Sequence, residues 1–188
     1  MFSRFFHCKF SQLASAASLA AATFITSTLP CWAVEYPIGT IKKFAGMEIG
    51  AVYLQAVEMD PPGMMRPVAE SDIHLEADIH ATADNKNGFP EGGWIPYLRV
   101  AYTLTKVGSK QVLKGNLMAM TADDGPHYGE NVKLMGPGKY HLTFDILPPD
   151  PKIFGRHIDK ETGVAPFFKH CVTEYDFVYA GIGKKGGY

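Results

Sequence analysis

The chain has 188 residues, 18 basic against 19 acidic side chains, 46% hydrophobic and 12% aromatic content, and three cysteines. A net charge of -1 offers no basic footprint for nucleic acid, and abundant Phe and Tyr with only 20% charged residues exclude a disordered chain. Three Cys in this length are too few for a disulfide scaffold, which leaves one globular domain behind a targeting segment.

Residues 1–33 carry Arg4 and Lys9, no acidic residue, and an apolar, small-residue stretch from about Leu13 to Phe24. This pattern predicts a secretory signal peptide cut after Ala33, with Cys31 and Ala33 as the small residues before the cut. The run is interrupted by Ser15, Ser18, Thr23 and Thr26. A membrane span needs roughly 20 apolar residues in succession. A retained anchor, or a lipid on Cys31, is the alternative, and Pro30 suits the lipid poorly. Cleavage removes two basic residues and no acidic one, so residues 34–188 are more acidic than the whole chain. It also removes Cys8 and Cys31 and leaves Cys171 alone, so no internal disulfide can form. Cys171 alternates in step with Tyr175 and Phe177, which predicts a small core residue.

Alternating segments follow in chain order at 47–59, 72–83, 94–106, 111–122, 139–147 and 171–180, with a seventh strand expected at 131–135. Pro- and Gly-rich turn chemistry separates them (PPGMMRP, NKNGFPEGG, DDGPHYG, GPG, PPDP). No stretch shows a capped 3.6-residue period. Short strands at this spacing predict an all-β, antiparallel, immunoglobulin-like sandwich of about seven to nine strands in one domain, residues 34–188. A closed barrel is the competing arrangement. No internal repeat or second domain is visible, and residues 183–188 read as a frayed tail.

The segment from Asp72 to Ala81, DIHLEADIHA, puts apolar residues at every odd position and titratable ones at every even position. A strand therefore gathers five titratable side chains on one face, successive ones about 6.8 Å apart. An ordinary solvent face explains Asp72 and Asp78. Yet Asp is depleted in strands, and five such groups without a Lys or Arg need a cation to neutralise them. His74 and Glu76 are the candidate ligands. Further along, Met118 and Met120 share one strand face, and ADDGPHYG then turns to deliver His127 near the end of that strand. A Met pair is commonly core packing. With an imidazole beside it and no Cys, however, a thioether favours copper over zinc, and a hard cation such as calcium would take oxygen ligands alone. His157 in GRHIDKETG, His141 and His170 read individually as solvated residues. Met59, Met64 and Met65 around PPG read as a loop.

Taken in order, YPIG, GMEIGAVYLQ, SDIHLEADIHA, NGFPEG, WIPYL, ADDGPHYG and GRHIDKETGV resemble the bacterial periplasmic copper-binding proteins of high-affinity iron transport, which accompany an inner-membrane iron permease. The resemblance runs from Tyr36 to about Tyr179. It implies an immunoglobulin-like sandwich, a homodimer, and a copper site that falls here on His74, Met120, His127 and His157, with Glu76 beside them. The acidic face with Glu76 is a further candidate, as a second site that receives or passes an iron ion. Ala119 departs from the family pattern, in which proline stands between the two Met residues; the change removes no ligand. Since the site lies near the dimer interface in that family, His157 can come from the partner subunit.

The resulting expectation is a periplasmic copper- and iron-binding protein that assists iron transfer to the permease and is not an enzyme. It would have no nucleic-acid partner and no direct membrane anchor. A copper-tolerance chaperone is the competing binding function. A copper and zinc superoxide dismutase fits less well, lacking a possible disulfide and a close HxH pair. A plain adhesion sandwich would hold no metal at all.

Overall fold

The computed structural model describes residues 34–184; the expected signal peptide and the last tail residues lie outside the described residues. The chain there is built from nine antiparallel strands: β1 (Tyr36–Pro37), β2 (Lys42–Phe44), β3 (Met47–Leu54), β4 (Ile73–Ala81), β5 (Arg99–Lys106), β6 (Val112–Ala122), β7 (Gly125–Val132), β8 (Gly138–Leu147) and β9 (Cys171–Tyr179). A single 3-10 turn, Val68–Glu70, interrupts the β3–β4 connection. Among the described residues no helix is long and apolar enough to cross a membrane.

The strands run in the order β1-β3-β4-β7-β6-β5-β8-β9, with β2 also paired to β3. This one continuous path curls into two facing layers because β6 changes partner. Val112 to Leu117 pair with β5, and Met118 to Ala122 pair with β7. The Met-bearing half of β6 is thereby handed to the β3–β4–β7 layer. Inward-facing residues of both layers, among them Ile49, Leu75, Leu104, Leu142 and Phe144, make one buried core, and the Tyr175 hydroxyl donates across it to the Ile49 carbonyl at 2.9 Å. The all-β sandwich expected from the alternation is the one observed.

Strand β9 shows the alternation in its simplest form. Cys171, Thr173, Tyr175, Phe177 and Tyr179 are buried, and the residues between them are exposed. The lone thiol is a core residue, as its place in the pattern predicts. Strand β2 joins β3 through Ala45 and Gly46, both at positive φ (50° and 73°), the geometry a two-residue hairpin requires.

Two differences from the sequence reading concern the site. The seventh strand lies at Gly125–Val132 rather than 131–135, and the β6–β7 turn is only Asp123 and Asp124, so His127 sits inside a strand. Gly125 and Pro126 look like turn residues. Pro126 is tolerated because β7 pairs with β4 only from Tyr128 onward, so the missing N–H faces no ladder. In addition, the first half of β4 is buried on both faces: His74 and Glu76, and Asp72 just before the strand, are buried like Ile73 and Leu75, while Asp78 and His80 further along are half-buried. Asp72 is satisfied by Lys133 Nζ at 2.7 Å and the Leu134 backbone N–H at 2.9 Å, and so is structural.

Candidate metal centre

On the face of the β4–β7–β6 layer opposite the core, strand registry aligns the candidate ligands. Glu76 stands across from Gly129, which in turn stands across from Met118; His74 is opposite Asn131, and Met120 is opposite His127. Period-two alternation puts His74 with Glu76, Met118 with Met120, and His127 with Gly129 and Asn131 on this one face. Glu76 Oε1 lies 3.5 Å from His74 Nε2 and 3.3 Å from His127 Nε2, with the side chains of all three almost wholly inaccessible. The two imidazole rings meet edge to face, centroids 5.8 Å apart. Ligating atoms of these three residues all lie within 4.8 Å of one another.

Met120 belongs to the same cluster. A Cβ placed on Gly129 would overlap His74 Nε2 and come within 3.2 Å of Met120 Sδ, so glycine is what allows thioether and imidazole to approach over the β7 backbone. Gly129 and Asn131 were not singled out in the sequence, although their spacing from His127, two and four residues on, places them on the ligand face. Asn131 Oδ1 lies 3.0 Å from His74 Nδ1, and its Nδ2 donates to the carbonyls of Val57 (2.8 Å) and Arg66 (2.9 Å).

The sequence candidates His74, Glu76, Met120 and His127 thus come together. His157 does not join them: it lies on the exposed β8–β9 connection, its side chain about 76% accessible. Its Nδ1 is 2.7 Å from Thr162 Oγ1, and that hydroxyl donates to Asp159. Thr162 must therefore accept from His157 Nδ1–H, which leaves the Nε2 lone pair free. His141 and His170 are exposed and paired with Asp176 and Asp145.

Burial governs the electrostatics. It holds the His74 imidazole down at about 4, aided by His127 and opposed by the bond to Asn131. It pushes the Glu76 carboxyl up to about 8, and Asp78, Glu35 and Asp124 push in the same direction. Glu35 is raised to about 7, by its own burial and then by its hydrogen bond to Asp124; Asp78 is raised mainly by burial, against the pull of His127 and His80. In the absence of an ion, burial thus favours the neutral forms of both Glu76 and His74.

Neither His74 Nε2 nor His127 Nε2 has a hydrogen-bond partner, although both are buried. Two orphaned imidazole nitrogens aimed at one carboxylate, with a thioether alongside, fit a transition-metal ion. The family described as Fe2+ transport protein matches residues 32–181 of this sequence. The chain belongs to that family. UPF0423 proteins of Brucella abortus and Brucella suis are 60% identical over 159 residues, covering 83% of this chain and 87% of theirs. The 34 kDa membrane antigen of Treponema pallidum is 44% identical over 147 residues, 76% of this chain and 72% of its own. Among solved structures, the copper-reconstituted P19 protein of Campylobacter jejuni superposes with a TM-score of 0.78 at 49% identity, covering 80% of this chain and 99% of that one. FetP of uropathogenic Escherichia coli strain F11, expressed in the periplasm, gives 0.77 at 47% identity over 80% and 99%. The fold and the metal-binding, iron-transport character expected from the sequence motifs are those of this family.

Proposed function

We propose that this protein is an exported copper- and iron-binding component of high-affinity iron uptake that works beside an inner-membrane iron permease. The observation that carries the reading is the pair of buried, unpartnered Nε2 atoms of His74 and His127 converging on Glu76 Oε1, with Met120 Sδ beside them above Gly129. Copper is held by His74, Met120 and His127. Imidazole suits both oxidation states and the thioether favours Cu(I), so the ion supplies a one-electron redox centre when bound. His157 completes the ligand set from the second subunit of a homodimer, since Thr162 engages its Nδ1 rather than its Nε2 and its side chain is exposed, apart from the buried cluster. Glu76 stands beside the copper ligands as an acid–base group.

Iron is the cargo. Burial raises the Glu76 carboxyl first and repulsion from Asp78, Glu35 and Asp124 adds to it, and hard oxygen donors gathered in that arrangement suit an iron ion. A periplasmic location follows from the signal-like residues 1–33. Growth of a deletion strain tests the proposal. A defect under iron starvation, reversed by the wild-type gene and by excess iron, is expected. Copper sensitivity with normal growth at low iron would instead assign the protein to copper tolerance.

A further inference from the structure

Asn131 is almost fully buried and makes four hydrogen bonds through one amide. Its Nδ2 donates to the Val57 and Arg66 carbonyls at 2.8 and 2.9 Å; its Oδ1 receives the Val57 backbone N–H at 3.1 Å and faces His74 Nδ1 at 3.0 Å. The amide has only one workable orientation. Turned over, its oxygen would face two carbonyl oxygens and its NH2 would face the Val57 N–H. Because Oδ1 only accepts, His74 Nδ1 must carry the ring proton, and the lone pair is left on Nε2, the atom turned toward Glu76 and His127. The same amide closes the segment between Val57 and Arg66, which contains Met59, Met64 and Met65, and the Arg66 N–H adds a bond to Glu130 Oε1 at 3.2 Å.

We propose that Asn131 is the positioning residue of the metal centre: it fixes His74 in the tautomer that can bind a metal and makes that tautomer conditional on closure of the 57–66 segment. With the segment in place, the two carbonyls hold the amide and the amide holds the ring. With it released, the amide can rotate, and His74 loses the acceptor that selects Nδ1–H. Ligand readiness and the position of this Met-bearing loop are then two readings of one hydrogen-bond network. Partners of this kind beyond the metal ligands commonly contribute 10- to 100-fold to metal affinity.

The inference rests on the reading of His74 as a ligand, but its first test needs no metal. Long-range 15N–1H spectra of the metal-free mature protein should show His74 protonated at Nδ1, and hydrogen exchange should show a protected Val57 amide. Asn131→Ala should mix the His74 tautomers, expose the Val57 amide and weaken Cu(II) binding by about 10- to 100-fold. Asn131→Asp keeps an acceptor for His74 but sets an oxygen against the two carbonyls. It should therefore retain the tautomer and most of the affinity while exchange in 57–66 accelerates. A purely structural Asn131 would instead give equal losses in both variants. Nε2–H at His74 in the wild type, or an Asn131→Ala protein with unchanged tautomer and affinity, overturns the proposal. Failure of the wild type to bind copper would overturn the functional reading alone, because the tautomer and exchange results stand without metal.

Discussion

Glu76 Oε1 lies 3.3 Å from His127 Nε2, across strands β4 and β7 and one diagonal step from direct registry. Both groups are buried, and the carboxyl is pushed up to about 8 by burial and neighbouring carboxylates. The metal-free pocket therefore favours a protonated Glu76, and a cation bound beside it would favour loss of that proton. Calorimetric copper titration at pH 7 in buffers of different ionisation enthalpy should report release of about one proton per ion. Glu76→Gln should reduce that release by more than half. Equal release from both proteins would remove Glu76 from the proton inventory.

The metal-free protein should respond to pH in two windows. The depressed His74 favours the fold above its ordinary value of 6.5, and that contribution is lost as pH falls toward about 4. The raised Glu76 favours the fold below its ordinary value of 4.5, and that contribution is lost as pH rises through about 8. The two oppose each other between about pH 4.5 and 6.5, and Glu76 prevails above that range. Glu35, raised to about 7, titrates in the same window, so denaturant melts of metal-free protein should show stability falling from pH 6.5 to 8, with a slope of about 1.4 kcal/mol per pH unit for each proton lost. Glu76→Gln should flatten the fall, whereas an undiminished slope in that variant would place its origin elsewhere.

Gly129 has no room for a side chain, because a methyl group there would overlap His74 Nε2 and crowd Met120 Sδ. Gly129→Ala should lower copper affinity about 100-fold or more through displaced ligands, with an overpacking cost of about 1–3 kcal/mol. Far-ultraviolet circular dichroism checks that the sandwich persists. Unchanged copper binding would show that the ligands do not meet over this residue.

Met120→Leu nearly conserves volume but removes the sulfur. Its effect on stability should stay below about 1.5 kcal/mol. Competition titrations should show Cu(I) affinity falling at least tenfold and Cu(II) affinity falling less, because a thioether prefers the softer ion. Equal losses for both ions would mean that Met120 acts by packing.

Cys171 is buried in β9, and burial alone raises its thiol to about 11. Alkylating reagents at pH 7.5 should modify it only in denaturant. Rapid labelling of the native protein would contradict the assigned core position.

Much of this architecture was legible in the sequence because the strands alternate. DIHLEADIHA fixed which side chains share a face, and CVTEYDFVY separated core from surface residue by residue. What alternation could not show was β4 buried on both sides, since a polar face under a covering segment has the same pattern as one in water. Strand β7 was harder to read because Gly125, Pro126 and Gly129 are individually turn-like. Gly129 leaves room for the His74 ring and the Met120 thioether, and Pro126 stands where no partner strand needs its N–H. Asn131 escaped notice because its role depends on Val57 and Arg66, more than 60 residues away. The motif resemblance supplied Met120 and His157 as ligands. Met120 lies at the cluster, and His157 lies apart from it on the exposed β8–β9 connection.

The central claim is that one copper ion per subunit binds at the Nε2 atoms of His74 and His127 with Met120 Sδ. Anomalous diffraction at the copper edge from copper-loaded crystals of the mature protein tests it most directly. The expected result is a single strong peak bonded to both Nε2 atoms and to the thioether. A peak only at surface groups such as His141 or His170, with His74 and His127 Nε2 left free, would contradict it.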